Sequence, residues 1–394
     1  MSTSTPTTTA SPVRGLSDEQ KDFVEAIRNF AEREVGTAEK REKLTDHYTE
    51  FHNADLVKKL GELGWLGASA PEEFGGSGGS MVDACLFLEE GFRGLLPMAG
   101  YPVTLITAGA VEKFGTEEQK QTVIGGMCEG TVSAIAMSEP EAGSDVGNLS
   151  CKAERSNDNG GGYVLNGQKT WISAAHVADQ ILTIVRTDNS GSKHEGLTMF
   201  LIPSDADGVE INGIQTMGGK EVNDVFLTDC YLDESTVVGE VGGAWIQLMS
   251  GLNVERLIIA AYALGAAQRA FDDTLAYIKE RKQFGRPIGS FQVLRHRIAD
   301  LATEIECTRL LVYDVARKVD DDPAKMLPRE ASMAKLKATE LVKAVSLEGM
   351  QMMGGYGYAS EYDMERHVRN ALVMSIYGGT NEIQREIVSK TFGL

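Results

Sequence analysis

The sequence predicts an α+β protein in which a helical domain is followed by a small β domain and then by a second helical domain. Three observations support this prediction. Apolar residues recur at helical intervals from Ser17 to about residue 130, short β-branched runs alternate with turn residues from about 131 to 241, and long helical patterns then continue to Leu394. At 394 residues the chain is long for one hydrophobic core, so more than one domain is expected.

The N-terminal helical domain is marked by residues that commonly begin helices. Three pairs have the spacing in which a side chain caps the first helical turn, namely Ser17 with Gln20, Ser80 with Asp83 and Thr116 with Gln119. A further helix is predicted over 56–67. The preceding residues 1–16 are rich in serine and threonine, lack the apolar segment of a signal peptide, and are expected to form a disordered tail. The predicted domains are therefore 17–130, 131–241 and 242–394.

The middle domain is predicted from strand-like runs. Strands are expected at 181–185, 197–202 and 225–232, where β-branched and other apolar residues cluster between turn residues. In the stretch 163–173, Asn166-Gly167 lies between two further strand-like runs. Because Asn-Gly favours a two-residue turn, the stretch is predicted to be a β-hairpin.

The composition excludes several classes of function. A net charge of -19 argues against a nucleic-acid partner, because phosphate binding needs a basic surface. Five cysteines without CxxC spacing argue against a disulfide framework and a zinc site, and the six histidines lack paired metal-ligand spacing, so no metal is expected. No uninterrupted apolar run is long enough to span a bilayer. We expect a soluble protein of a reducing compartment, the cytoplasm.

The common nucleotide-binding signatures are also missing. The sequence has neither a GxGxxG motif between a strand and a helix nor a P-loop, which removes support for NAD and P-loop chemistry. The segment GGSGG at 75–79 formally matches the nucleophile elbow of hydrolases, but no strand precedes it. A loop is therefore expected at Ser77, rather than a catalytic serine.

Two adjacent charges, Glu255 and Arg256, stand alone in the apolar run 244–267. A helix that is apolar all round is buried, and burial raises the pKa of a carboxyl group, which suits a general base. Neighbouring helical residues point in different directions, so Arg256 need not neutralise Glu255. The simpler alternative is a buried structural ion pair.

Several further stretches place small residues beside polar ones. In MSEPEAGSDVGN (137–148), Gly143 and Ser144 allow close approach of a ligand to the backbone. In ERKQFGRPIGSFQ (280–292), the basic residues Arg281, Lys282 and Arg286 could hold a pyrophosphate. The segments QMMGGYGY (351–358) and YGGTNEIQR (377–385) repeat the pattern. Each segment alone could be a helix cap or an interhelical turn.

Taken together with NGQKTWIS (166–173), these segments resemble the acyl-CoA dehydrogenase family, and five motifs occur in family order over nearly the whole chain from Ser17 to Leu394. The resemblance implies a helical domain, a β-barrel-like middle domain and a C-terminal four-helix bundle. It also implies FAD as cofactor, with the isoalloxazine between the middle and C-terminal domains and the adenosine reaching a neighbouring subunit of a homotetramer or homodimer. Such a mode of binding explains the missing dinucleotide fingerprint.

The resemblance further implies individual cofactor contacts. Trp171, Ile172 and Ser173 are expected against the flavin ring, with Ser173 offering a hydrogen bond near N5. Other residues are expected along the flavin, pyrophosphate and adenosine: Ile135, Ala136, Met137, Ser138, Ser144, Arg281, Gln283, Phe284, Phe291, Gln292, Gln351, Gly355, Thr380 and Glu382. The substrate thioester is expected to contact Ser144, Asn253, Arg256, Tyr377, Gly378 and Gly379.

One departure from the family pattern concerns the catalytic base. In much of the family a glutamate directly follows the tyrosine matched by Tyr377, whereas this chain has Gly378 there. A minority branch of the family, which includes isovaleryl-CoA and long-chain acyl-CoA dehydrogenases, carries the base on a helix of the C-terminal domain, immediately before an arginine. That position is Glu255, followed by Arg256.

The implied reaction is α,β-dehydrogenation of an acyl-CoA thioester to the trans-2-enoyl-CoA. Glu255 would remove the α-proton, the β-hydride would pass to flavin N5, and the N–H of Gly378 would polarise the thioester carbonyl. The reduced cofactor would pass its electrons to an electron-transfer flavoprotein. We also expect Gly378 to leave room for a branched or bulky acyl group.

Three other functions remain open from the sequence. One is dehydrogenation of an acyl group on a carrier protein, which a basic patch near the substrate entrance would favour. Another is a non-dehydrogenating member of the same fold, which would be expected to lack a base at both positions. A scaffold without cofactor ranks last, and a flavin spectrum of the purified protein would exclude it.

Overall fold

The structure is a computed structural model that describes residues 13–156 and 161–394, without the side chains of Ser250, Leu252 and Asn253. The first twelve residues of the predicted tail lie outside the described residues. The described chain divides into two compact units. The helical unit contains the residues up to Leu44, Ser80–Leu96 and Glu255–Leu394, and the sheet unit contains Thr45–Gly79 and Pro97–Val254. The predicted domain boundaries remain predictions.

The helices agree with the predicted α, β, α order. They are α1 Asp18–Val35, α2 Ala38–Leu44, α3 Ala54–Glu62, α4 Met81–Arg93, α5 Gly100–Phe114, α6 Glu117–Lys120, α7 Gly126–Glu129, α8 Ala244–Glu280, α9 Gln292–Asp321, α10 Pro328–Met353, α11 Met364–Met374 and α12 Asn381–Lys390. A π-helical turn, Gln121–Gly125, joins α6 to α7.

The strands build one large sheet in the sheet unit. They are β1 Ser133–Ala136, β2 Lys152–Arg155, β3 Tyr163–Ser173, β4 Gln180–Arg186, β5 Leu197–Pro203, β6 Val209–Thr216, β7 Gly219–Leu232 and β8 Val237–Val238. Their order is β6-β7-β3-β2-β4-β5-β8, with β1 on β4, and only β1 and β2 run parallel to β4. The short strands β9 Lys282–Gln283 and β10 Arg286–Pro287 pair in the helical unit.

The local sequence signals account for the ends of several helices. Ser17, Ser80 and Thr116 each accept a hydrogen bond from the third residue of the following helix, and that third side chain bonds back to the cap, so all three predicted capping boxes are confirmed. The three predicted strands at 181–185, 197–202 and 225–232 lie within β4, β5 and β7. The segment 75–79 is a loop, as predicted.

The predicted hairpin at Asn166-Gly167 is wrong, because β3 runs straight through both residues. The register of β3 against β7 shifts at this point, which is a β-bulge. Asn166 exchanges hydrogen bonds with Asp229 on β7 at 2.9 and 3.2 Å. Gly167 has φ +148, and a Cβ there would lie 2.8 Å from Cα of Cys151, the residue before β2. The glycine therefore permits close packing of strands rather than a turn.

Helix α8 is buried over the second half of the predicted apolar run 244–267, whereas Ile246 near its start is 79% exposed. Residues Leu257–Leu264 are all buried, and together with α9 and α10 they form much of the core of the helical unit. The core of the sheet unit lies on one face of the sheet and includes Tyr163, Leu165, Phe200 and Val225. None of the helices among the described residues is long and apolar enough to cross a membrane.

Candidate active site

Two predicted flavin-contact segments lie side by side in the sheet unit. The first comprises the end of β1 and the two residues after it, Ile135 to Ser138, and the second comprises Trp171 to Ser173 at the end of β3. The N–H of Thr170 donates to the carbonyl oxygen of Ser138 at 2.9 Å. Backbone pairing therefore fixes one segment against the other.

A buried ion pair strengthens this junction. Lys169 is fully buried, and its Nζ donates to Glu139 Oε1 at 2.7 Å and to the carbonyl oxygen of Met137 at 3.2 Å. Glu139 also accepts from the N–H of Cys151 and from both the N–H and hydroxyl of Ser150. Burial alone would raise the pKa of Glu139, but Lys169 and Ser150 outweigh it and lower that pKa. The sequence does not single out this pair, although both residues lie within the recognised motifs.

Trp171 is turned outward by a second bulge. The register of β3 against β7 shifts between Lys169 and Ile172, and Trp171 has φ +61 with 60% of its surface exposed. Ile172 is buried and Ser173 is half-buried. An exposed indole on a strained backbone is typical of a ligand-binding position. Ser144 is exposed on the loop after β1, and the side chain of Asn253 lies outside the described part of the chain.

A groove in the helical unit brings together six of the predicted cofactor residues. Its volume is about 800 Å³, and its walls include Arg281, Gln283, Phe284, Phe291, Gln351 and Gly355. Gln292 begins α9 and is exposed outside this lining, within the described residues. Arg297 and Tyr356 also line the groove and are not predicted from the sequence. Tyr356 lies within the recognised segment 351–358, and that placement could have identified it, whereas Arg297 has no comparable local signal.

The chemistry of this groove fits the phosphate and adenosine half of FAD. Arginine side chains bind phosphate oxygens, and aromatic faces accept a stacked base. The guanidinium of Arg281 lies 5.3 Å from the ring centre of Tyr356, so cation and aromatic ring are adjacent. A Cβ added at Gly355 would meet nothing within 4 Å, which leaves open space beside its backbone.

Glu255 lies beside the turn that follows Tyr377. A Cβ built on Gly378 would lie 3.6 Å from Glu255 Oε1, so a side chain at 378 would begin close to the Glu255 carboxylate. Burial raises the pKa of Glu255, and the nearby cations Arg256 and Lys335 offset only part of that rise. The carboxyl is therefore a stronger base than an exposed glutamate.

A side chain of α8 lies in the Cβ direction of Gly378. A Cβ at Gly378 would overlap Cδ1 of Ile259, which lies one helical turn after Glu255 and on the same face of α8. The end of the isoleucine therefore fills the space that a side chain at 378 would occupy. Room for a branched or bulky acyl group beside Gly378 stays a prediction, and Ile259 is the neighbour that limits it.

The remaining predicted residues lie where α12 begins. Thr380 caps α12 by accepting from the N–H of Ile383, and Glu382 is exposed in the first turn, 3.7 Å from Arg385. Gly378 and Gly379 have φ +61 and +76, a conformation that glycine adopts readily. The turn from Tyr377 to Thr380 thus depends on its two glycines.

The sequence matches three profiles of known families. They are described as the N-terminal, middle and C-terminal domains of acyl-CoA dehydrogenase, and they match residues 17–131, 134–230 and 242–393. The chain therefore belongs to the acyl-CoA dehydrogenase family. It is an oxidoreductase, and like the other members of the family it depends on FAD.

Individual relatives are similar over nearly the whole chain. A mitochondrial isovaleryl-CoA dehydrogenase of Solanum tuberosum is 35% identical over 95% of this chain and 90% of that protein. A probable acyl-CoA dehydrogenase, YngJ, of Bacillus subtilis is 36% identical over 95% and 98%. The crystal structure of an acyl-CoA dehydrogenase from Geobacillus kaustophilus has a TM-score of 0.88 at 32% identity and covers 97% of this chain and 100% of that one. The fold class is thereby confirmed.

Other relatives differ in their partners. Subunit CarC of the caffeyl-CoA reductase-Etf complex of Acetobacterium woodii is 34% identical over 95% of this chain and 98% of that protein. The prolyl acyl carrier protein oxidase AnaB has a TM-score of 0.85 at 28% identity, with 96% of this chain and 100% of that one covered.

Proposed function

We propose that this protein oxidises an acyl-CoA thioester to the trans-2-enoyl-CoA, with Glu255 as the base that removes the α-proton. The observation that carries this proposal is the position of Glu255 Oε1, which lies 3.6 Å from a Cβ built on Gly378. The carboxylate of Glu255 lies next to that turn. It can therefore remove a proton near the place from which a carboxylate side chain at 378 would otherwise do so. The raised pKa of Glu255 brings the base closer to the pH at which such enzymes work.

The α-proton of a thioester is weakly acidic, so its removal requires donors aimed at the thioester oxygen. The N–H of Gly378 is the proposed backbone donor, because a Cβ built on the same residue would lie 3.6 Å from Glu255 Oε1. Bound FAD supplies the acceptor for the β-hydride. Trp171, Ser173 and the 135–138 segment are proposed to hold the ring of that cofactor, and the groove around Arg281 is proposed to hold its phosphates and adenosine.

We further propose a branched acyl group as substrate. This proposal rests on the relatives, which include isovaleryl-CoA dehydrogenases. It does not depend on the space beside Gly378. An acyl group on a carrier protein is the second candidate, and the similarity to AnaB favours it.

An electron-transfer flavoprotein is the proposed electron acceptor, supported by the similarity to a subunit of a complex that contains one. A homodimer or homotetramer is also proposed. The groove in the helical unit is open, and its wall residue Phe284 is 92% exposed, which favours coverage by a second copy of the chain.

The decisive experiment is an anaerobic titration of the FAD-loaded protein with straight and branched acyl-CoAs, followed by bleaching of the flavin absorbance. Glu255→Gln should bind FAD and substrate but bleach about 10² to 10⁴ times more slowly. Glu304→Gln, a substitution of an exposed glutamate on α9, should bleach at the parent rate. Equal bleaching rates in Glu255→Gln and the parent would refute the assignment of the base. Bleaching by an acylated carrier protein, but by no acyl-CoA, would instead establish the second candidate, an acyl group on a carrier protein.

A further inference from the structure

A lysine is fully buried on the apolar face of α10. Lys335 has no exposed surface and lies among Ala331, Ala334 and Ala338, which are also buried. An ammonium group in such surroundings is destabilising unless it is hydrogen-bonded and paired with opposite charge. Its position therefore calls for an explanation in terms of what it contacts.

The contacts of Lys335 lie at the turn beside Glu255. Its Nζ donates to the carbonyl oxygen of Gly379 at 2.9 Å and to Asn381 Oδ1 at 3.1 Å. Asn381 is itself buried, accepts from the hydroxyl of Thr339 at 3.0 Å and donates to Glu340 at 3.0 Å. Two hydrogen bonds therefore hold the Lys335 ammonium group in place.

A second buried side chain holds the same turn. Gln384 Nε2 donates to the carbonyl oxygens of Gly378 and Gly379 at 3.0 and 2.9 Å. Gly378 and Gly379 both have positive φ angles, and the carbonyl oxygens of both accept hydrogen bonds. The donors are Lys335 on α10 and Gln384 on α12. Because the carbonyls cannot rotate freely, the peptide planes around Gly378 are held in one orientation.

The charges around Lys335 come from three helices. Glu255 and Arg256 on α8, Glu340 on α10 and Glu382 on α12 all interact with it. Burial lowers the pKa of Lys335 to about 8, although Glu255 acts to raise it. The group is therefore cationic at neutral pH, and its charge in turn lowers the pKa of Glu255.

We propose that Lys335 is a positioning residue for the dehydrogenation. It fixes the Gly378–Gly379 turn, which adjoins Glu255, through the carbonyl oxygen of Gly379, and its positive charge favours the ionised form of Glu255 over the neutral form. This inference rests on the proposed function of Glu255, but the effect of Lys335 on the ionisation of Glu255 can be measured without turnover.

The test separates charge from hydrogen bonding with Lys335→Met, Lys335→Gln and Lys335→Arg. Lys337→Met is the matched control, since Lys337 lies on the same helix but is 42% exposed and paired with Glu304. The ionisation of Glu255 is followed in the substrate-free holoenzyme by the carboxyl infrared band that is absent in Glu255→Gln. Lys335→Met and Lys335→Gln should raise the pKa of Glu255 by about one to three units. Lys335→Arg and Lys337→Met should leave it within a few tenths of a unit.

Steady-state kinetics provide the second measurement. Lys335→Met should lower kcat about tenfold or more while changing KM less, and Lys335→Arg should recover most of kcat. An unchanged Glu255 titration in Lys335→Gln or Lys335→Met would overturn the inference, even if the variant lost stability. If Lys335→Met does not fold, Lys335→Gln decides the outcome alone. A shifted titration in a protein that dehydrogenates no acyl-CoA would refute the proposed function and would still show that Lys335 influences the ionisation of Glu255.

Discussion

Lys169 and Glu139 form an ion pair inside the sheet unit, with 2.7 Å between Nζ and Oε1. The pair joins the two backbone segments proposed to contact the flavin ring. Removing one partner leaves a buried charge without its counterion, which typically costs about 3 to 5 kcal/mol. We therefore expect Lys169→Met to lower the free energy of unfolding by several kcal/mol and to reduce FAD content, as measured by chemical denaturation and flavin absorbance.

The control is the exposed pair Lys152–Glu154 on β2, with 2.6 Å between its charged atoms. Exposed pairs contribute at most about 1 kcal/mol. Lys152→Met should therefore change neither stability nor FAD content appreciably. Equal effects of the two substitutions would show that burial of the Lys169 pair is unimportant.

Gly167 should not tolerate a side chain. In Gly167→Ala the new Cβ meets backbone and side-chain atoms of Cys151, and φ +148 strains any other residue. Strain and overpacking together predict a loss of about 2 to 5 kcal/mol in the free energy of unfolding. Gly213→Ala on β6 is the control, because its nearest neighbour would be Asn223 Oδ1 at 3.9 Å. A loss no larger than that of the control would contradict the bulge geometry.

The raised pKa of Glu255 predicts how stability depends on pH. The folded state binds this proton more tightly than the unfolded state, whose pKa is near 4.5, so ionised Glu255 destabilises the fold above its raised pKa. Glu255→Gln should therefore raise Tm relative to the parent at pH 8. The difference should shrink as the pH falls through the raised pKa and vanish below about 4.5. A Tm difference that stays constant from pH 8 to pH 4 would count against a perturbed carboxyl.

Arg281 should contribute to FAD affinity. A hydrogen bond to a charged group is worth about 1.5 to 3 kcal/mol, so Arg281→Ala should raise the Kd for FAD about 10- to 100-fold. Titration of the apoprotein with FAD, followed by flavin fluorescence, measures this change. Arg295→Ala provides the comparison, because Arg295 is exposed on α9 outside the groove within the described residues. Comparable losses would show that the effect is general electrostatics.

Ile259 should influence acyl selectivity. Ile259→Val removes Cδ1, the atom that fills the space beside Gly378, and we expect kcat/KM for 3-methyl-branched acyl-CoAs to rise several-fold relative to straight chains of equal length. Ile258→Val removes the same methyl group from an equally buried neighbour that points elsewhere. A selectivity shift of the same size in Ile258→Val would refute a specific role for Ile259.

Much of the fold could be predicted because its signals are local. A serine three residues before its capping partner specifies a helix start at Ser17 and Ser80 without help from the rest of the chain. Glu255 could be singled out for a similar reason, since one acidic residue in an apolar run is visible in the sequence alone.

The failures share a different cause. Gly167 forms a bulge rather than a turn because Cys151, the residue before β2, packs against it, and the Cβ direction of Gly378 is occupied by Ile259 from another helix. Lys335 cannot be singled out from local sequence, since its acceptor at Gly379 lies 44 residues further along the chain. In each case the decisive neighbour is distant in sequence, so periodicity and local propensity carry no information about it.

The bulge at Asn166-Gly167 also bears on the chemical durability of the protein. Asparagine followed by glycine is ordinarily prone to deamidation, which requires the next backbone nitrogen to attack the side-chain amide. Here the amide is tied to Asp229 by two hydrogen bonds and the backbone is locked in a strand, so ring closure first requires local opening of the sheet. We therefore expect slow ageing at this dipeptide for as long as the sheet stays intact.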